Sequence, residues 1–409
     1  MCGCLGVLLR HATNRRTMLA ATAVGIAGMS LTAESAQAAE DEAERRATET
    51  RRLVAESAKG ARSRVILLGT AGGPTFWPGS TRVGISSAVV VGDAAYLVDC
   101  GSGAARRLQQ GLEPMITGPK PGNTRAYSLL RAAFLTHMHS DHTADLPALL
   151  LYGYYAGLDL PGHAPLQLFG PGPRGEMMPV FTPPGRPARE VPAFNPANPT
   201  PGTKQMIDLL LQAYATDIND RMRDQGRRDP AQLVQAHDIA LPKLESFRSP
   251  NETPTPSMAP FKVFEDDRVR VSATLVAHAP IFPAFAYRFD TDDGSVVFSG
   301  DTGPCDNLIT LAKGADVLVH EVIVQAFVDR AYPAPRSPAE EGLHAHLLSA
   351  HTTAEQVGKI AEAAGVKTLV LNHMVPGNAT AADLMPAQLG FSGRMVIGDD
   401  LLEVAIRKT

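Results

Sequence analysis

Four side chains that bind metals stand within six residues at the end of an apolar run. The run 132–135 leads into His137, His139, Asp141 and His142. Successive side chains of a strand alternate between its two faces, so a strand cannot present all four to one point. The chain must therefore leave the strand at His137 and wrap around that point. Because imidazole and carboxylate together suit zinc and similar divalent metals, the segment predicts a strand that ends in a metal-binding loop.

Three further metal-type side chains occupy a similar position, each just after an apolar run. They are His278 after 269–276, Asp301 after 296–298 and His373 after 369–371. Taken singly, a histidine at a strand end usually makes a structural hydrogen bond, and an aspartate after glycine is often a turn residue. Taken together, the seven ligands exceed the three or four that one metal needs. They predict two metal ions about 3.5–4 Å apart that share a carboxylate and a water.

The order of these ligands resembles the metallo-β-lactamase superfamily, most closely its ribonuclease Z and arylsulfatase-like branch. The branch's other elements follow in order as Leu67-Leu68-Gly69-Thr70, Leu97-Val98-Asp99-Cys100-Gly101, 284–289, Ser299-Gly300-Asp301-Thr302, 317–321, His351-Thr352-Thr353 and Asn372-His373. The resemblance implies an α/β fold, a four-layer αββα sandwich. It also implies that one metal is held by His137, His139 and His278, the other by Asp141, His142 and His373, with Asp301 as the bridge.

The chemistry of the ligand set and the resemblance together indicate three catalytic roles. Asp141 is expected to orient the attacking hydroxide as well as to hold a metal. His351 is expected to protonate the leaving oxygen, although it could instead be a residue that only opens the following helix. Glu321 or His320 is expected to orient His351, with His344 and His346 as alternative acids. The expected cofactors are two divalent ions, zinc in the first place, with manganese or iron as alternatives.

The chain departs from the ribonuclease Z pattern in one respect. In that family a long arm that grips transfer RNA is inserted after the strand matching 284–289. Here only ten residues separate Arg288 from Ser299, and Asp292-Asp293-Gly294 indicates a tight hairpin turn. Extra sequence appears instead at about 171–260. We predict an inserted, partly helical lid segment there, while a packed accessory helix without a substrate role stays equally open.

Local patterns predict strands and helices in both halves of the chain. The predicted strands include 64–70, 87–91, 95–98, 166–169 and 366–371, and the predicted helices include 146–158 and 203–225. A capping box at Thr353 and Gln356 opens another helix. Hairpins in each half, with helices after strands, favour two facing sheets with helices outside. Phe76 and Trp77 lie in a loop rich in glycine and proline, where a core role and a rim role are both open.

The N-terminus has the organisation of an export signal. Arg15 and Arg16 precede an apolar run, and Ala36-Gln37-Ala38 offers small residues at a cleavage position. We predict a twin-arginine signal peptide over 1–38, a hydrolase domain over 39–409, and a periplasmic or extracellular location without a stable membrane span. Cys100 and Cys305 are expected to be buried thiols, with a disulfide between them left open.

Net charge weighs against a nucleic-acid partner. The chain carries 38 Lys and Arg against 42 Asp and Glu, a net of −4, and about −6 without residues 1–38. Such a balance lacks the basic face of a typical nucleic-acid-binding protein. With the missing arm, this favours an exported dinuclear zinc hydrolase of a small sulfate or phosphate ester with an aryl or apolar group. The alternatives are a lactonase or carboxylic-ester hydrolase, a ribonuclease Z-like RNA 3′-processing phosphodiesterase, and a non-catalytic metal-binding protein. A homodimer stays open.

Overall fold

Two seven-stranded β-sheets face each other in the computed structural model of the chain, which describes residues 26–116, 125–182 and 187–408, with side chains from residue 35 onward. The strands are β1 Ser63–Gly69, β2 Ser86–Val91, β3 Ala94–Val98, β4 Leu130–Phe134, β5 Leu166–Pro171, β6 Val234–Ile239, β7 Phe261–Glu265, β8 Arg270–Leu275, β9 Phe285–Asp290, β10 Ser295–Phe298, β11 Val317–Ile323, β12 Thr368–Val375, β13 Arg394–Ile397 and β14 Glu403–Ala405. One sheet has the order β14-β1-β2-β3-β4-β5-β6, and the other has the order β13-β12-β11-β10-β9-β8-β7.

The helices cover the outer faces of both sheets. They are α1 Ile26–Ala58, α2 Ala104–Leu112, α3 Ser140–Thr143, α4 Leu146–Ala156, α5 Thr203–Ala213, α6 Ala215–Gln225, α7 Asp306–Ala312, α8 Gln325–Ala331, α9 Pro338–Ala350, α10 Ala354–Ala364 and α11 Ala381–Leu384. Short 3-10 helices lie at Glu113–Met115, Ala126–Leu129, Pro230–Gln232 and Met385–Gln388. The predicted α/β fold with two sheets between helices is confirmed.

Three apolar cores separate the four layers. The inner core lies between the sheets, where Phe134 of β4 packs on Tyr287 and Phe289 of β9 with ring centroids 5.5 and 5.3 Å apart. A second core joins the first sheet to α2 and α4, and a third joins the other sheet to α7, α8 and α10. The central strands of both sheets are therefore covered on both faces, which explains why they are almost wholly apolar, whereas the edge strands β6, β7 and β14 carry exposed or half-buried polar residues.

The strands that carry predicted ligands point the same way within their sheets. Strands β3 to β6 run parallel to one another, and so do β10 to β13. Strand β8 is antiparallel to β9, which is antiparallel to β10, so β8 and β10 also share a direction. The loops after β4, β8 and β10 meet the bulge near the end of β12 at one edge of the sandwich, in the manner of ligand sites at the carboxyl ends of parallel strands.

The segment 171–260 differs in detail from its predicted form. The helix predicted over 203–225 is two helices, because Tyr214 breaks the run with φ −102° and ψ 16°. The segment also contributes β6, which pairs in parallel with β5 at the sheet edge. Between β9 and β10 only residues 291–294 form the turn, so the tight hairpin predicted there is present.

The predicted export signal falls largely outside the described part of the chain. Residues 1–25 lie beyond it, and 26–38 belong to α1, so export stays a prediction. No described helix combines the length and apolarity needed to cross a bilayer. Cys100 and Cys305 are both buried and free, so no disulfide joins them.

Candidate metal centre

The seven predicted ligands converge at the sheet edge in two groups that share Asp301. The first site is formed by His137, His139 and His278 with Asp301, and the second site by Asp141, His142 and His373 with Asp301. Within each group the ligand atoms all lie within 4.8 Å of one another. The structure thus brings together every residue that the sequence predicted as a ligand, in the grouping that the resemblance implied.

Three imidazole nitrogens meet in the first site. His139 Nδ1 lies 2.9 Å from His137 Nε2 and 3.5 Å from His278 Nε2, while Asp301 Oδ2 lies 3.8 Å from His137 Nε2. Zinc–nitrogen bonds of about 2.0–2.1 Å place two ligands of one tetrahedral ion about 3.3 Å apart. The spacing of these atoms therefore fits one divalent ion at their centre.

The second site is richer in carboxylate. Asp301 Oδ1 lies 3.2 Å from both His142 Nε2 and His373 Nε2. Asp141 Oδ2 lies 3.7 Å from His142 Nε2 and 3.4 Å from His373 Nε2. His142 Nε2 and Asp301 Oδ1 are buried and have no hydrogen-bond partner within the described residues, and both are aimed at the same point. Such atoms are costly unless something binds them, so they also fit a cation.

Asp301 is the one ligand that faces both sites. Its Oδ2 is directed to the first site and its Oδ1 to the second. Gly300 precedes it with φ 59°, and a Cβ there would stand 2.5 Å from the Phe285 carbonyl oxygen. Only glycine meets both conditions without strain, so Gly300 lets the chain turn sharply after β10 and place a carboxylate between two metal positions.

A β-bulge aims His373 at the second site. Pairing between β11 and β12 skips His373, which takes φ 41°. A bulge redirects one side chain without ending the strand, and positive φ in a residue other than glycine is often found at functional sites. Gly72 makes room for the ring, because a Cβ there would stand 2.4 Å from His373 Nδ1.

Asp99 and Thr136 support ligands of both sites, a role that the sequence reasoning missed. The Nδ1–H of His142 donates to Asp99 Oδ2 at 2.8 Å, and Thr136 donates its hydroxyl to the same oxygen at 2.8 Å. Thr136 Oγ1 also lies 3.2 Å from His137 Nδ1. Asp99 follows β3, which is parallel to β4. The sequence offered one signal for this role: Asp99 is a polar residue directly after the buried strand β3, which pairs with the strand that leads into the ligands.

The remaining support comes from the backbone. The Nδ1–H of His278 donates to the Ala350 carbonyl at 2.9 Å, which leaves Nε2 with its lone pair for a metal. The Gly73 amide donates to Asp141 Oδ2 at 2.9 Å. Gly73 lies in the loop after β1, so this segment, which the sequence left without a role, holds a ligand of the second site.

Burial and charge set the protonation of the ligands. Burial lowers the pKa of His137 well below its ordinary value and that of His278 to about 3, so both imidazoles are neutral, as metal ligands must be. Burial also disfavours the charged form of His142, but Asp301, Asp99 and Asp141 outweigh it and raise its pKa. The carboxylates around the second site therefore favour positive charge there. A divalent ion would take the place of the proton on His142.

His351 and Glu321 form a pair beside the ligands. His351 Nδ1 lies 3.0 Å from Glu321 Oε1, which also accepts from the Thr302 amide at 3.0 Å. Burial lowers the pKa of His351, but the charge of Glu321 outweighs it and raises the pKa to about 9. The His351 ring lies 5.2 Å from the His278 ring. His320 is instead turned to the Glu321 carbonyl, and His344 to Asp329.

The chain is similar in sequence to proteins named Ribonuclease Z. It is 28% identical over 345 residues to the one of Mycobacterium bovis BCG, covering 84% of this chain and 98% of that one. It is 30% identical over 346 residues to the one of Mycobacterium sp. strain KMS, covering 84% and 95%. The structure of the short form of human tRNase Z superposes with a TM-score of 0.50 at 18% identity, covering 84% of this chain and all of that one. No family model matches the chain.

These relatives contradict two predictions made from the sequence. A small sulfate or aryl ester as substrate and the exclusion of nucleic acid are both wrong, because the similar proteins carry the name of a ribonuclease. The missing arm and the acidic balance misled for one physical reason: both describe surfaces away from the metals, whereas the chemistry depends on the ligands. With seven ligands in place and 30% identity to a relative matched over almost its full length, the chain belongs to the ribonuclease Z branch of the metallo-β-lactamase superfamily, a group of metal-dependent hydrolases.

Proposed function

We propose that the protein hydrolyses a phosphodiester bond near the 3′ end of RNA with two zinc ions. The observation that carries the proposal is the shared carboxylate of Asp301, which joins two complete ligand groups in a chain of the ribonuclease Z branch. The two groups would hold two divalent ions, which would supply a nucleophilic water of lowered pKa and offset the charge that builds up on the phosphoryl oxygens. The donor set of imidazole and carboxylate favours zinc, with manganese and iron as alternatives.

Asp141 is proposed to hold and orient the attacking water. Its Oδ2 faces His142 and His373 and accepts from the Gly73 amide. This arrangement fixes the plane of the carboxylate and leaves Oδ1 to accept a proton of the water. Burial would raise the pKa of Asp141, but His142 and His373 outweigh it and lower the pKa, so the group is a carboxylate at neutral pH.

His351 is proposed to protonate the leaving oxygen. Its Nδ1–H is engaged by Glu321, so its Nε2–H is the proton that can be transferred. Glu321 acts as a positioning residue, since it fixes the ring and raises the pKa of His351, and the Thr302 amide fixes Glu321 in turn. A ribose oxygen is a strong base when it leaves, so RNA cleavage needs this proton more than cleavage of a nitrophenyl ester does.

The short hairpin after β9 is compatible with this function. An arm adds affinity for the body of the RNA, whereas ions held by the two ligand groups would act on the scissile phosphate. The turn 291–294 is instead tied to the N-terminal segment, because Asp293 accepts from Arg62 at 3.0 Å and also bonds Ser63. We therefore expect a protein that cuts RNA but depends less on the folded body of its substrate than arm-bearing relatives do.

The test is cleavage of a transfer RNA precursor with a 3′ extension by the full-length, zinc-loaded protein. We expect a cut at the 3′ side of the RNA body, lost in Asp301→Ala and kept in Asp217→Ala, a surface control with the same change. Hydrolysis of bis-nitrophenyl phosphate by the same preparation reports whether the metal centre is active. An active centre that leaves every RNA intact would refute the proposal.

A further inference from the structure

Two exposed phenylalanine rings belong to segments that are attached to different sites of the metal centre. Phe76 is 87% exposed and Phe181 is 46% exposed. We propose that each ring stacks on a nucleobase of single-stranded RNA, one on either side of the scissile phosphate. This inference rests on the proposed function and adds what the metal ligands lack, a surface that recognises the bases of the substrate.

Phe76 projects from a loop that is fixed on both sides of it. Three residues before it, the Gly73 amide donates to Asp141 Oδ2 at 2.9 Å. Directly after it, Trp77 is buried, donates from Nε1 to the Gly72 carbonyl at 2.8 Å and packs edge-on against Phe327 at 5.6 Å. Because the backbone on both sides of Phe76 is anchored, only the rotation of the side chain has to be fixed when the ring binds, which favours its use as a contact surface.

The position of Phe76 follows from these anchors. Asp141 belongs to the second site, and Gly72 lies against the ring of His373, another ligand of that site. Phe76 therefore stands on the rim beside the second site. The alternative of a core role, which the sequence left open for both aromatic residues of this loop, holds for Trp77 and fails for Phe76.

Phe181 lies in the segment that follows β5. Arg174 ties this segment to the loop of His278, because it donates to Asn251 Oδ1 at 2.7 Å and to the Pro280 carbonyl at 3.3 Å. Asn251 donates in turn to the Met177 carbonyl at 3.1 Å. The segment is thus attached within two residues of a first-site ligand.

Helix α9 relates the position of the Phe181 ring to that of His351. The ring covers Gly342, where an added Cβ would stand 3.0 Å from Phe181 Cζ. Gly342 and His346 are one turn apart and share a face of α9. The helix ends at Ala350, whose carbonyl accepts from His278. At 1.5 Å per residue, Gly342 stands about 12 Å along the axis from Ala350, the last helical residue before His351.

The segment of Phe76 is thus attached to the second site and that of Phe181 to the first, so in this proposal a phosphate held across both sites lies between the two rings. A phosphodiester bound there directs its two nucleosides away from each other, one toward the rim of Phe76 and one toward the rim of Phe181. Aromatic rings bind bases of single strands by stacking, with little preference for sequence, because every base has a π-face. Stacking also removes two exposed apolar rings from water.

The experiment compares Phe76→Ala and Phe181→Ala with wild-type protein on short single-stranded RNA. We expect each variant to raise KM by about 5- to 150-fold, the usual effect of removing one stacking ring. Phe→Trp at either position should restore KM, whereas Phe→Leu, which is apolar but cannot stack, should not. Leu389→Ala is the matched control, since Leu389 is 84% exposed and follows the 3-10 helix Met385–Gln388.

A second arm uses RNA with one abasic nucleotide on either side of the cut. If Phe76 stacks on that missing base, wild-type protein and Phe76→Ala should have equal KM values on that RNA alone. Fluorescence anisotropy of labelled RNA measures binding without cleavage. Equal RNA binding by wild type and both variants would overturn the stacking proposal. Failure of wild type to cut any RNA would instead overturn the proposed function, so the two failures are distinguishable.

Discussion

The first and second sites share Asp301 but differ in the charge of their other ligands. The first site adds three neutral imidazoles, whereas the second adds the carboxylate of Asp141 to two imidazoles. The groups that hydrogen-bond to the ligand rings differ in charge in the same way. His142 donates to the negatively charged Asp99 carboxylate, whereas His278 donates to the neutral Ala350 carbonyl. A carboxylate behind an imidazole raises its basicity more than a neutral carbonyl does. The comparison teaches that two neighbouring ions can be held with unequal strength, and we expect the second site to fill first.

The largest effect should follow from removing the shared ligand. Asp301→Ala leaves two cations facing each other without the carboxylate that separates and offsets them, so both should be lost. Metal analysis should fall from about two ions per chain to none, with loss of activity. Retention of one tightly bound ion in this variant would show that one site stands alone, which would sharpen the ranking of the two sites.

A second prediction distinguishes the residues that would bind the metal ions from His351, the proposed proton donor. His351→Ala should keep both ions, and should lower kcat on RNA by about 10²- to 10⁴-fold, the range for a positioned acid. The loss should shrink for bis-nitrophenyl phosphate, whose leaving group needs no proton. Glu321→Gln should move activity in the same direction by less, since it only positions the ring.

The leaving-group comparison also guards against a packing explanation. A general defect slows all substrates alike, so an equal loss on RNA and on bis-nitrophenyl phosphate would remove His351 from the role of acid. Loss of a metal ion in His351→Ala would make His351 a ligand instead. Either result would send the search for the acid to His346, which lies on the same helix as Gly342.

A third prediction tests the unequal supports directly. Asp99→Asn removes the negative charge and replaces one of two accepting oxygens by an NH2 donor, so the side chain can no longer accept from both the Thr136 amide and His142 Nδ1. We expect metal affinity of the second site to fall by about 10- to 100-fold, with a smaller change at the first site, which Asp99 reaches only through Thr136. Stepwise zinc titration measures both. Equal losses of metal affinity at the two sites would show that Asp99 does not support the second site more than the first.

The smallest effect on either site should come from the N-terminus. If export removes residues 1–38, the remaining part of α1 keeps its buried side chains, including Ala43, Ala47 and Val54. A protein that begins at Ala39 should therefore match the full chain in metal content and activity. N-terminal sequencing of native protein tests the cleavage, and a start with residues 1–38 intact would exclude it.

The substrate was the part of the function that residue patterns predicted wrongly. Net charge averages over the whole surface, and a missing arm removes an accessory element, so neither observation bears on the bond that the metals cleave. The relatives corrected this because they are matched over almost their full length. Export, which rests on Arg15, Arg16 and the small residues before Ala39, stays a prediction.

Residue type and placement after apolar runs were enough to predict the two-sheet architecture and the seven side chains that the structure brings together as candidate metal ligands. The reason is that ligand chemistry is a property of single side chains, and parallel strands bring their carboxyl ends to one edge. Tertiary structure alone decided which partners these residues meet. Asp99 reaches His142 across 43 residues, and His373 reaches Asp141 across 232. It also decided that Trp77 is buried while Phe76 beside it is exposed, because burial depends on what the rest of the chain packs against each side chain.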